Sequence, residues 1–334
     1  MKVKFWGVRG SLPTPLTSPE VRKKLISAIW KARSLSLDNS PEAKLEGEQT
    51  DIISAFLDSL PIEERGTIGG NTPCVQIIPD DGELIIVDCG SGLRALGSQL
   101  MQDEFGLGEG KASIFLSHTH WDHICGLPFF TPIFIKGNRL NFYGGHDNLE
   151  DRLRSQHNPW HFPVPWNVLG ADKKCVQISP DSPFNIGNTR VIMHELSHPG
   201  RCFSYRFEGE DGDVIIYASD AEYKHLQHSK VAEYIEFFQN ADILIFDTQY
   251  TLTEALAKED WGHSSAMIGI EMAMEANVRN LVMFHHEPTY DDEKIVSLCK
   301  KTDQYQQILN NNSLKCNIHI AYEGLVLTTE NLSG

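Results

Sequence analysis

Four side chains that bind metal ions well are crowded into six residues of the sequence, at His118, His120, Asp122 and His123. They stand in the stretch SHTHWDHICGLPFF, directly after the apolar run SIFL. Imidazole and carboxylate groups this dense are costly to desolvate unless each has a partner. Imidazole nitrogen with carboxylate oxygen is the ligand chemistry of zinc or a similar first-row divalent metal. The cluster therefore predicts a metal site at a strand end, rather than a polar loop without metal. His118 and His120 would share a face if the strand continued through them.

Further metal-binding side chains follow later apolar runs. His198 comes after VIMHEL, Asp220 ends DVIIYASD, and His285 ends NLVMFH. His194, four residues before His198, is its rival. Functional loops gather at the carboxyl ends of strands in α/β sheets, so these donors are expected at the same edge as the first cluster. Together the donors are numerous enough for two metal ions.

Composition limits the partners. The chain has 334 residues and a net charge of −16, from 45 acidic and 29 basic residues. Acidic excess opposes tight binding to long nucleic acid, which depends on Lys and Arg contacts with phosphates. It leaves a small anionic substrate open, because bound metal ions can reverse the local field. Seven dispersed cysteines without a CxxC motif indicate reduced thiols. The sequence shows neither a signal-peptide pattern nor an apolar run of membrane-spanning length. We therefore expect a cytoplasmic protein without a membrane partner.

Short apolar runs with Gly, Asp or Asn at their edges predict a strand-rich protein. The first strands are expected at Val3–Val8, at Cys74–Ile78 and Leu84–Val87 around the turn PDDGE, and at Ser113–Leu116. Helices are expected between later strands, at Val231–Asn240, Ser264–Ala276 and Glu293–Leu309.

A segment at about 16–66, rich in Ser, Lys and Glu, interrupts this pattern. Ser18 followed by Pro19 predicts a helix start. An apolar face at helical spacing follows, made by Val21, Leu25, Ile26, Ile29 and Trp30. A second helix is expected over Asp51–Leu60, stopped by Pro61. We expect a helical insertion that packs on the main body; a lid or a dimer contact is the alternative.

The order of the motifs resembles the metallo-β-lactamase superfamily over nearly the whole chain. HTHWDH matches the HxHxDH signature, and SHPG, ASD and MFHHEP match the later His, Asp and His motifs. GGNTPC followed by LIIVDCGSG matches the strands before the signature. The resemblance implies an α/β fold, a four-layer αββα sandwich. It implies one hydrolase domain over residues 1–334, with the helical insertion at about 16–66.

The resemblance also implies two divalent metal ions, zinc first, with manganese or iron as alternatives. His118, His120 and His198 would hold one ion, and the HPG match selects His198 over His194. The other ion would be held by Asp122, His123 and His285, with Asp220 bridging the two. Asp122 thereby counts among the catalytic residues.

FDTQY and WGHSS are similar to motifs of the ribonuclease Z-like branch. There a histidine outside the metal site protonates the leaving group, oriented by an acidic residue, and His263 and Asp247 match these positions. A carboxylate fixes the imidazole tautomer and raises its proton affinity, so the role is physically coherent. The alternative is that His263 has no catalytic role and only stands next to the N-cap of the following helix.

KFWGVRGSLPTP together with GGNTPC is similar to the cyclic-nucleotide phosphodiesterases of this branch. That similarity implies hydrolysis of a 3′,5′-cyclic phosphodiester by metal-activated water, with His263 as general acid, in a homodimer. The alternatives are a tRNA 3′-processing endonuclease, another small phosphodiester hydrolase, and a non-catalytic nucleotide sensor. The acidic balance, and the lack of an evident basic, Gly-rich arm, speak against the endonuclease.

Several other residues receive expectations. Asp88 and Asn71 are expected to support the metal loop, and Arg9 to be a structural surface residue rather than a phosphate contact. The loop PWHFPVPW could stack on a base through His161, Trp160, Phe162 and Trp166, but loop packing is the favoured interpretation. His286 should point away from His285. Structural roles are expected for the remaining histidines, His146, His157, His194, His225, His228 and His319.

Overall fold

Two seven-stranded sheets dominate the computed structural model, which describes residues 1–34, 46–180, 182–223, 228–309 and 315–330. The N-terminal sheet has the strand order β14-β1-β2-β3-β4-β5-β6. Its strands are β1 (Lys2–Gly7), β2 (Cys74–Ile78), β3 (Ile85–Val87), β4 (Lys111–Phe115), β5 (Arg139–Gly144), β6 (Asp172–Gln177) and β14 (Val326–Thr328). β2 and β3 pair antiparallel around PDDGE, as predicted, whereas β3 to β6 run parallel.

The C-terminal sheet has the order β13-β12-β11-β10-β9-β8-β7. Its strands are β7 (Phe184–Ile186), β8 (Thr189–Leu196), β9 (Cys202–Glu208), β10 (Val214–Ala218), β11 (Ile243–Asp247), β12 (Asn280–Phe284) and β13 (Asn317–Ile320). β10 to β13 are parallel, and β10 and β11 are buried along their whole length. Their continuous apolar sequences are typical of strands covered on both faces.

The sheets pack face to face through a core to which both contribute. Phe5 and Phe115 of the N-terminal sheet are buried with Tyr205, Phe207 and Phe284 of the C-terminal sheet. The Phe115 ring meets Tyr205 edge-on at 5.2 Å and Phe207 edge-on at 5.4 Å. Edge-to-face aromatic pairs of this kind add to the free energy of burial. This shared core joins the two sheets into the inner layers of a sandwich.

Helices cover both outer faces. The described helices are α1 (Ser18–Ser34), α2 (Glu46–Ser59), α3 (Ile62–Arg65), α4 (Leu93–Leu100), α5 (Glu104–Leu107), α6 (Trp121–Ile124), α7 (Leu149–Ser155), α8 (His228–Phe238), α9 (Leu252–Ala257), α10 (Ala266–Glu275) and α11 (Asp292–Leu309). One buried cluster joins the N-terminal sheet to α4 and α7, and another joins the C-terminal sheet to α8 and α10. The predicted four-layer αββα sandwich is therefore confirmed.

Helix α1 contacts the body through its charged side chains. Lys24 Nζ lies 2.9 Å from the Asp292 carboxylate, and Lys23 Nζ lies 2.6 Å from Glu293 at the start of α11. The apolar face that predicted packing points outward, with Ile29 62% and Trp30 71% exposed. The expectation that this stripe docks the segment is wrong, because the acidic start of α11 offers partners to the lysines instead. No described helix combines the length and the apolarity needed to cross a membrane.

Candidate metal centre

The HTHWDH motif lies in a loop and a short helix that follow β4. The strand ends at Phe115, so His118 and His120 do not continue it, contrary to the expectation of a shared strand face. His120 has an extended backbone at the position before α6, and Asp122 and His123 lie within that helix. The turn from loop to helix, rather than strand alternation, brings these side chains to one point.

His118, His120 and His198 form one group of donors. One ring nitrogen from each lies within 4.8 Å of the others, and His198 Nε2 is 3.1 Å from His120 Nδ1. His118 is buried, and its Nε2 has no hydrogen-bond partner among the described residues. A buried imidazole nitrogen without a partner costs free energy, and a bound cation would relieve that cost. Three convergent imidazoles are a common zinc ligand set.

Asp122, His123, Asp220 and His285 form a second, fully buried group within 4.8 Å. His123 Nε2 lies 3.3 Å from His285 Nε2, and both nitrogens face carboxylate oxygens at 3.2–3.4 Å. Two nitrogens and two carboxylates aimed at one point are arranged as ligands of a divalent metal are. This chemistry fits a bound cation.

Asp220 lies between the two groups. Its Oδ1 is 3.3 Å from His123 Nε2 and 3.4 Å from His285 Nε2, while its Oδ2 is 3.7 Å from His118 Nε2. Asp220 has a backbone φ of 58°, in the left-handed region that is strained for residues other than glycine. The structure therefore holds one carboxylate oxygen toward each group of imidazoles.

The carboxylates of the centre favour positive charge at the point where the donors converge. Burial lowers the pKa of His118 well below its ordinary value, so its ring is neutral. Burial disfavours the ionised form of Asp122, but the imidazole of His123 more than offsets this and holds the pKa of that carboxyl well below its usual range. Burial likewise disfavours the charged form of His123, yet Asp220 and Asp122 raise its pKa well above the ordinary value. The surrounding carboxylates thus stabilise positive charge at this point.

Asp88 holds His123 through the ring nitrogen that faces away from the centre. His123 Nδ1 donates to Asp88 Oδ2 at 2.7 Å, and Ser117 N–H donates to Asp88 Oδ1 at 2.8 Å. Tyr217 Oη donates to Asp88 Oδ2 at 2.7 Å. Because Nδ1 is engaged, Nε2 of His123 faces the centre, which is how metal-binding histidines are commonly oriented. This placement agrees with the supporting role expected for Asp88.

Two further residues hold the centre, and the sequence analysis missed both. Gln249 Oε1 accepts a hydrogen bond from His285 Nδ1 at 3.0 Å, and Gln249 Nε2 donates to Glu287 at 2.9 Å. The backbone N–H of Ser11 donates to Asp122 Oδ2 at 2.8 Å across 111 positions of sequence. Gln249 stands two residues after the end of β11, a position that could have suggested it. Nothing local in the sequence indicates Ser11.

His263 and Asp247 lie beside both donor groups. His263 Nδ1 is 2.9 Å from Asp247 Oδ2, and its ring stacks on that of His285 at 5.1 Å. Burial lowers the proton affinity of His263, but Asp247 outweighs that effect and raises the pKa of the imidazole to about 9. His263 does stand just before Ser265, the N-cap of α10. Its ring nevertheless turns toward Asp247, so its proximity to the helix start does not explain its position.

The position of Arg9 differs from the surface position that was expected. It is 3% exposed, so it is not a surface residue. Its guanidinium donates to the carbonyls of Gly69 and Tyr290 and pairs with Asp292 at 3.3 Å. Arg9 is therefore structural, as expected, but buried, because the turn after β1 carries it inside against α11.

Asn71 does not contact the donors. Its side chain donates to Glu323 at 3.0 Å and accepts from Ser91 at 2.9 Å, so it joins loops next to the centre. His286 donates to the carbonyl of Ala321, pointing away from His285 as predicted. Trp166 is buried against Phe142, which is the packing that was favoured for its loop.

The other histidines lie outside the two donor groups where they are described. His194 packs against Tyr234 and Phe237, rather than competing with His198. His146, His157 and His319 each bond to a backbone or amide oxygen. His225 lies outside the described residues and His228 begins α8, so their structural roles stay predictions.

The chain is similar in sequence and in fold to several known proteins. A family model described as the beta-lactamase superfamily domain matches residues 84–286. Ribonuclease Z of Thermoplasma acidophilum is 23% identical over 268 residues, which are 65% of this chain and 81% of the relative. The metallo-β-lactamase fold protein YhfI from Bacillus subtilis superposes with a TM-score of 0.60 at 19% identity, over 98% of both chains. The short form of human tRNase Z gives a TM-score of 0.59 at 16% identity, over 98% of this chain and 99% of the other.

The family match spans the strands and loops that carry most of the centre, from β3 to His285. Within that span lie the HTHWDH loop, His198, Asp220 and the His263–Asp247 pair. The structural likeness extends the same fold over almost the whole chain. The chain belongs to the β-lactamase superfamily, in the ribonuclease Z-like branch of its metallo-β-lactamases.

Proposed function

We propose that the protein is a metal-dependent phosphodiesterase that hydrolyses small cyclic nucleotides at their 3′,5′-cyclic phosphodiester. The observation that carries this proposal is the His263–Asp247 pair, held beside two groups of metal donors. Hydrolysis of a phosphodiester needs a nucleophilic water, stabilisation of charge on phosphate oxygens, and a proton for the departing oxygen. The described side chains can serve each of these needs.

The donor sets favour two divalent ions, zinc first, with manganese or iron as alternatives. His118, His120 and His198 would hold one ion, and Asp122, His123 and His285 the other, with Asp220 between them. Such ions supply Lewis acidity and lower the pKa of bound water toward neutrality. Their four positive charges would exceed the two negative charges of Asp122 and Asp220. The centre would then be positive within an acidic protein, which suits a monoanionic cyclic phosphodiester.

His263 serves as the general acid. Asp247 Oδ2 accepts a hydrogen bond from His263 Nδ1–H at 2.9 Å, so the proton on Nε2 is the one that is transferred. Asp247 has no exposed surface, so its charge is poorly screened and acts strongly on the ring. As water oxygen bonds to phosphorus and the bond from phosphorus to O3′ breaks, the Nε2 proton passes to O3′, and the proton that the water gives up is released to solvent. The hydrogen bond to the Asp247 carboxylate fixes the orientation of the His263 ring and keeps a proton on Nδ1 throughout.

The names of the sequence relatives favour a second candidate. Ribonuclease Z of Thermoplasma acidophilum is among them, so a tRNA 3′-processing endonuclease would use the same centre and the same His263. The net charge of −16 disfavours it, because long RNA is held largely by Lys and Arg contacts with phosphates. Another small phosphodiester is a weaker alternative. A non-catalytic sensor is disfavoured, since all seven donors and His263 are in place.

Turnover of a substrate panel tests the proposal. Protein loaded separately with zinc, manganese or iron(II) is incubated with 3′,5′-cyclic mononucleotides, bis(p-nitrophenyl) phosphate and a precursor tRNA. His263→Ala and Asp220→Ala are compared with His319→Ala, a histidine outside the centre. Turnover of a cyclic mononucleotide by wild type and His319→Ala, lost in the other two, supports the proposal. Cleavage of the tRNA but of no other substrate would show that the protein is a tRNA 3′-processing endonuclease instead. No turnover by protein with bound metal overturns both.

The domain and assembly expectations stay predictions. Limited proteolysis tests whether residues 1–334 form one domain, since a second domain would be released intact. Sedimentation at several protein concentrations tests the homodimer. A mass that stays at 37.6 kDa would contradict it.

A further inference from the structure

An aromatic cavity of about 500 Å³ lies beside the segment that carries the HTHWDH donors. One wall contains Trp121 and Phe129, and the other contains Trp160 and Phe162. Trp121 stands between His120 and Asp122 in the chain, so this wall belongs to the segment that carries the metal donors. Where the cavity wall is described, it includes no Asp, Glu, Lys or Arg side chain. Its chemistry therefore suits an uncharged, flat, apolar group rather than a phosphate.

The second wall is held in a defined conformation. The carbonyl of Asn158 accepts hydrogen bonds from the N–H groups of His161 and Phe162, at 2.8 and 2.9 Å. The side chain of Asn158 accepts from the N–H of Trp160 at 3.0 Å. Phe162 meets Phe129 edge-on at 5.6 Å, which joins the two walls. The loop is thus ordered by its own hydrogen bonds and by contact with the opposite wall.

This order leaves two indole rings facing solvent. Trp160 is 88% and Trp121 is 85% exposed, whereas Trp166 of the same loop is 7% exposed and packs in the core. Loop packing thus explains Trp166 but not Trp160. Exposed aromatic rings beside a cavity are suited to stacking on a flat ligand. The two interpretations offered for PWHFPVPW therefore apply to different residues of the loop.

Gln156 supplies a polar group in the same cavity wall. Its amide Nε2 is buried, and among the described residues it has no hydrogen-bond partner. An unsatisfied buried amide costs free energy, and a rotation of the Gln156 side chain toward the cavity would let a ligand with an acceptor atom recover it. The edge of a nucleobase carries such acceptors, in its ring nitrogens and carbonyl oxygens.

We propose that this cavity binds the base of the nucleotide whose phosphodiester lies at the metal centre, with the base stacked on Trp160 and its edge facing Gln156. The identity of the ligand rests on the proposed function. The cavity would then give the enzyme its preference for nucleotides over phosphodiesters that lack a base.

Two matched substrates test the proposal in metal-loaded protein. They are 3′,5′-cyclic AMP and the corresponding 1-deoxyribose 3′,5′-cyclic phosphate, which lacks the base. Trp160→Ala should raise KM for cyclic AMP about tenfold, within the range that loss of base stacking gives. It should leave kcat, and the kinetics of the base-free substrate, unchanged. Trp160→Phe should recover most of the loss. Trp30→Ala, another exposed tryptophan, is the control and should behave as wild type. An unchanged ratio of the two KM values in Trp160→Ala would overturn the proposal.

A binding measurement separates this proposal from the catalytic one. Equilibrium dialysis compares AMP with ribose 5-phosphate, which keeps the sugar and phosphate but not the base. Tighter binding of AMP that is lost in Trp160→Ala and weakened in Gln156→Leu supports the base site, even if no cyclic nucleotide is hydrolysed. Equal binding of the two compounds by wild type overturns the base site, whatever turnover shows for the proposed function.

Discussion

Asp247 Oδ2 lies 2.9 Å from His263 Nδ1, and the carboxylate that makes this contact has no exposed surface. Asp247 ends β11, and its Oδ1 accepts from the N–H of Gln249 at 2.9 Å. The carboxylate is therefore fixed by the backbone before it meets the imidazole. A fixed, buried charge directs the ring and favours its protonated form.

The first prediction concerns the leaving group. Removing the imidazole in His263→Ala should lower kcat for cyclic AMP by about 10²–10⁴-fold, the usual contribution of general acid catalysis. Bis(p-nitrophenyl) phosphate should lose far less, because p-nitrophenolate departs without a proton. Steady-state kinetics with both substrates measure the difference, and metal analysis shows whether the ions are retained. Equal losses with both substrates would mean that His263 acts on metal binding or folding instead.

The second prediction concerns pH. The pKa of His263 is raised to about 9, so the protonated ring is present below that pH and is lost as pH rises through it. Bound cations oppose a positive charge nearby, so kcat should fall with an apparent pKa at or below about 9. Asp247→Asn removes the carboxylate but not the burial, and should move this fall to lower pH. A pH profile of kcat measures both, and an unmoved alkaline limb in Asp247→Asn would refute the pairing.

The third prediction concerns the support of His123. Asp88→Asn replaces the ionised acceptor of the Nδ1 proton by an amide, and should weaken metal binding by about 10–100-fold. Competition with a chromogenic chelator measures the affinity. Asp172→Asn, at an exposed position that begins β6, serves as the control. Wild-type affinity in Asp88→Asn would show that the negative charge of Asp88 is not needed to hold His123.

A fourth prediction tests Gln249. Gln249→Leu leaves His285 Nδ1 without its acceptor and should weaken metal binding about tenfold. Glu287→Gln keeps an acceptor oxygen for Gln249 and should retain the affinity. The same chelator competition distinguishes them. If Glu287→Gln weakens binding as much as Gln249→Leu, the charge of Glu287 rather than the orientation of His285 is what matters.

The fifth prediction concerns stability away from the centre. Arg9 and Asp292 are each only 3% exposed, and Asp292→Ala would leave the guanidinium buried without its counter-charge. Such a loss destabilises a protein by about 3–5 kcal/mol. Urea unfolding measures the change. Glu293→Ala breaks an exposed pair with Lys23, which solvent screens, and should change the free energy of unfolding far less. Similar effects of the two substitutions would contradict the buried role of Arg9.

The grouping of the candidate donors can be predicted from the sequence because each follows a strand whose apolar pattern is local and strong. That pattern predicts His198, Asp220 and His285 at one edge of the sheet, and the structure brings them together. The HPG motif resolved His198 from His194, whereas spacing alone did not. The four-layer sandwich followed from the ordered motifs rather than from any one of them.

Contacts between distant parts of the chain escaped prediction. Arg9 pairs with Asp292 across 283 positions, and Ser11 bonds to Asp122 across 111 positions. No periodicity or motif records such a contact, since each partner is an ordinary residue in its own segment. The packing of helix α1 is wrongly predicted for a related reason. Its apolar residues do recur at helical spacing, but the helix docks through lysines that pair with acidic residues of α3 and α11.

The docking of α1 has a consequence for ionic strength. The Lys23–Glu293 and Lys31–Glu64 pairs are solvent-accessible, and screening weakens such pairs as salt is added. Kosmotropic salts act oppositely on the outward face, because they favour removal of Leu25, Ile29 and Trp30 from water. Concentrated sulfate should thus loosen the helix from its own body while making its outer surface more adhesive. A buffer chosen to keep the isolated molecule intact is therefore different from one that would drive it to self-associate.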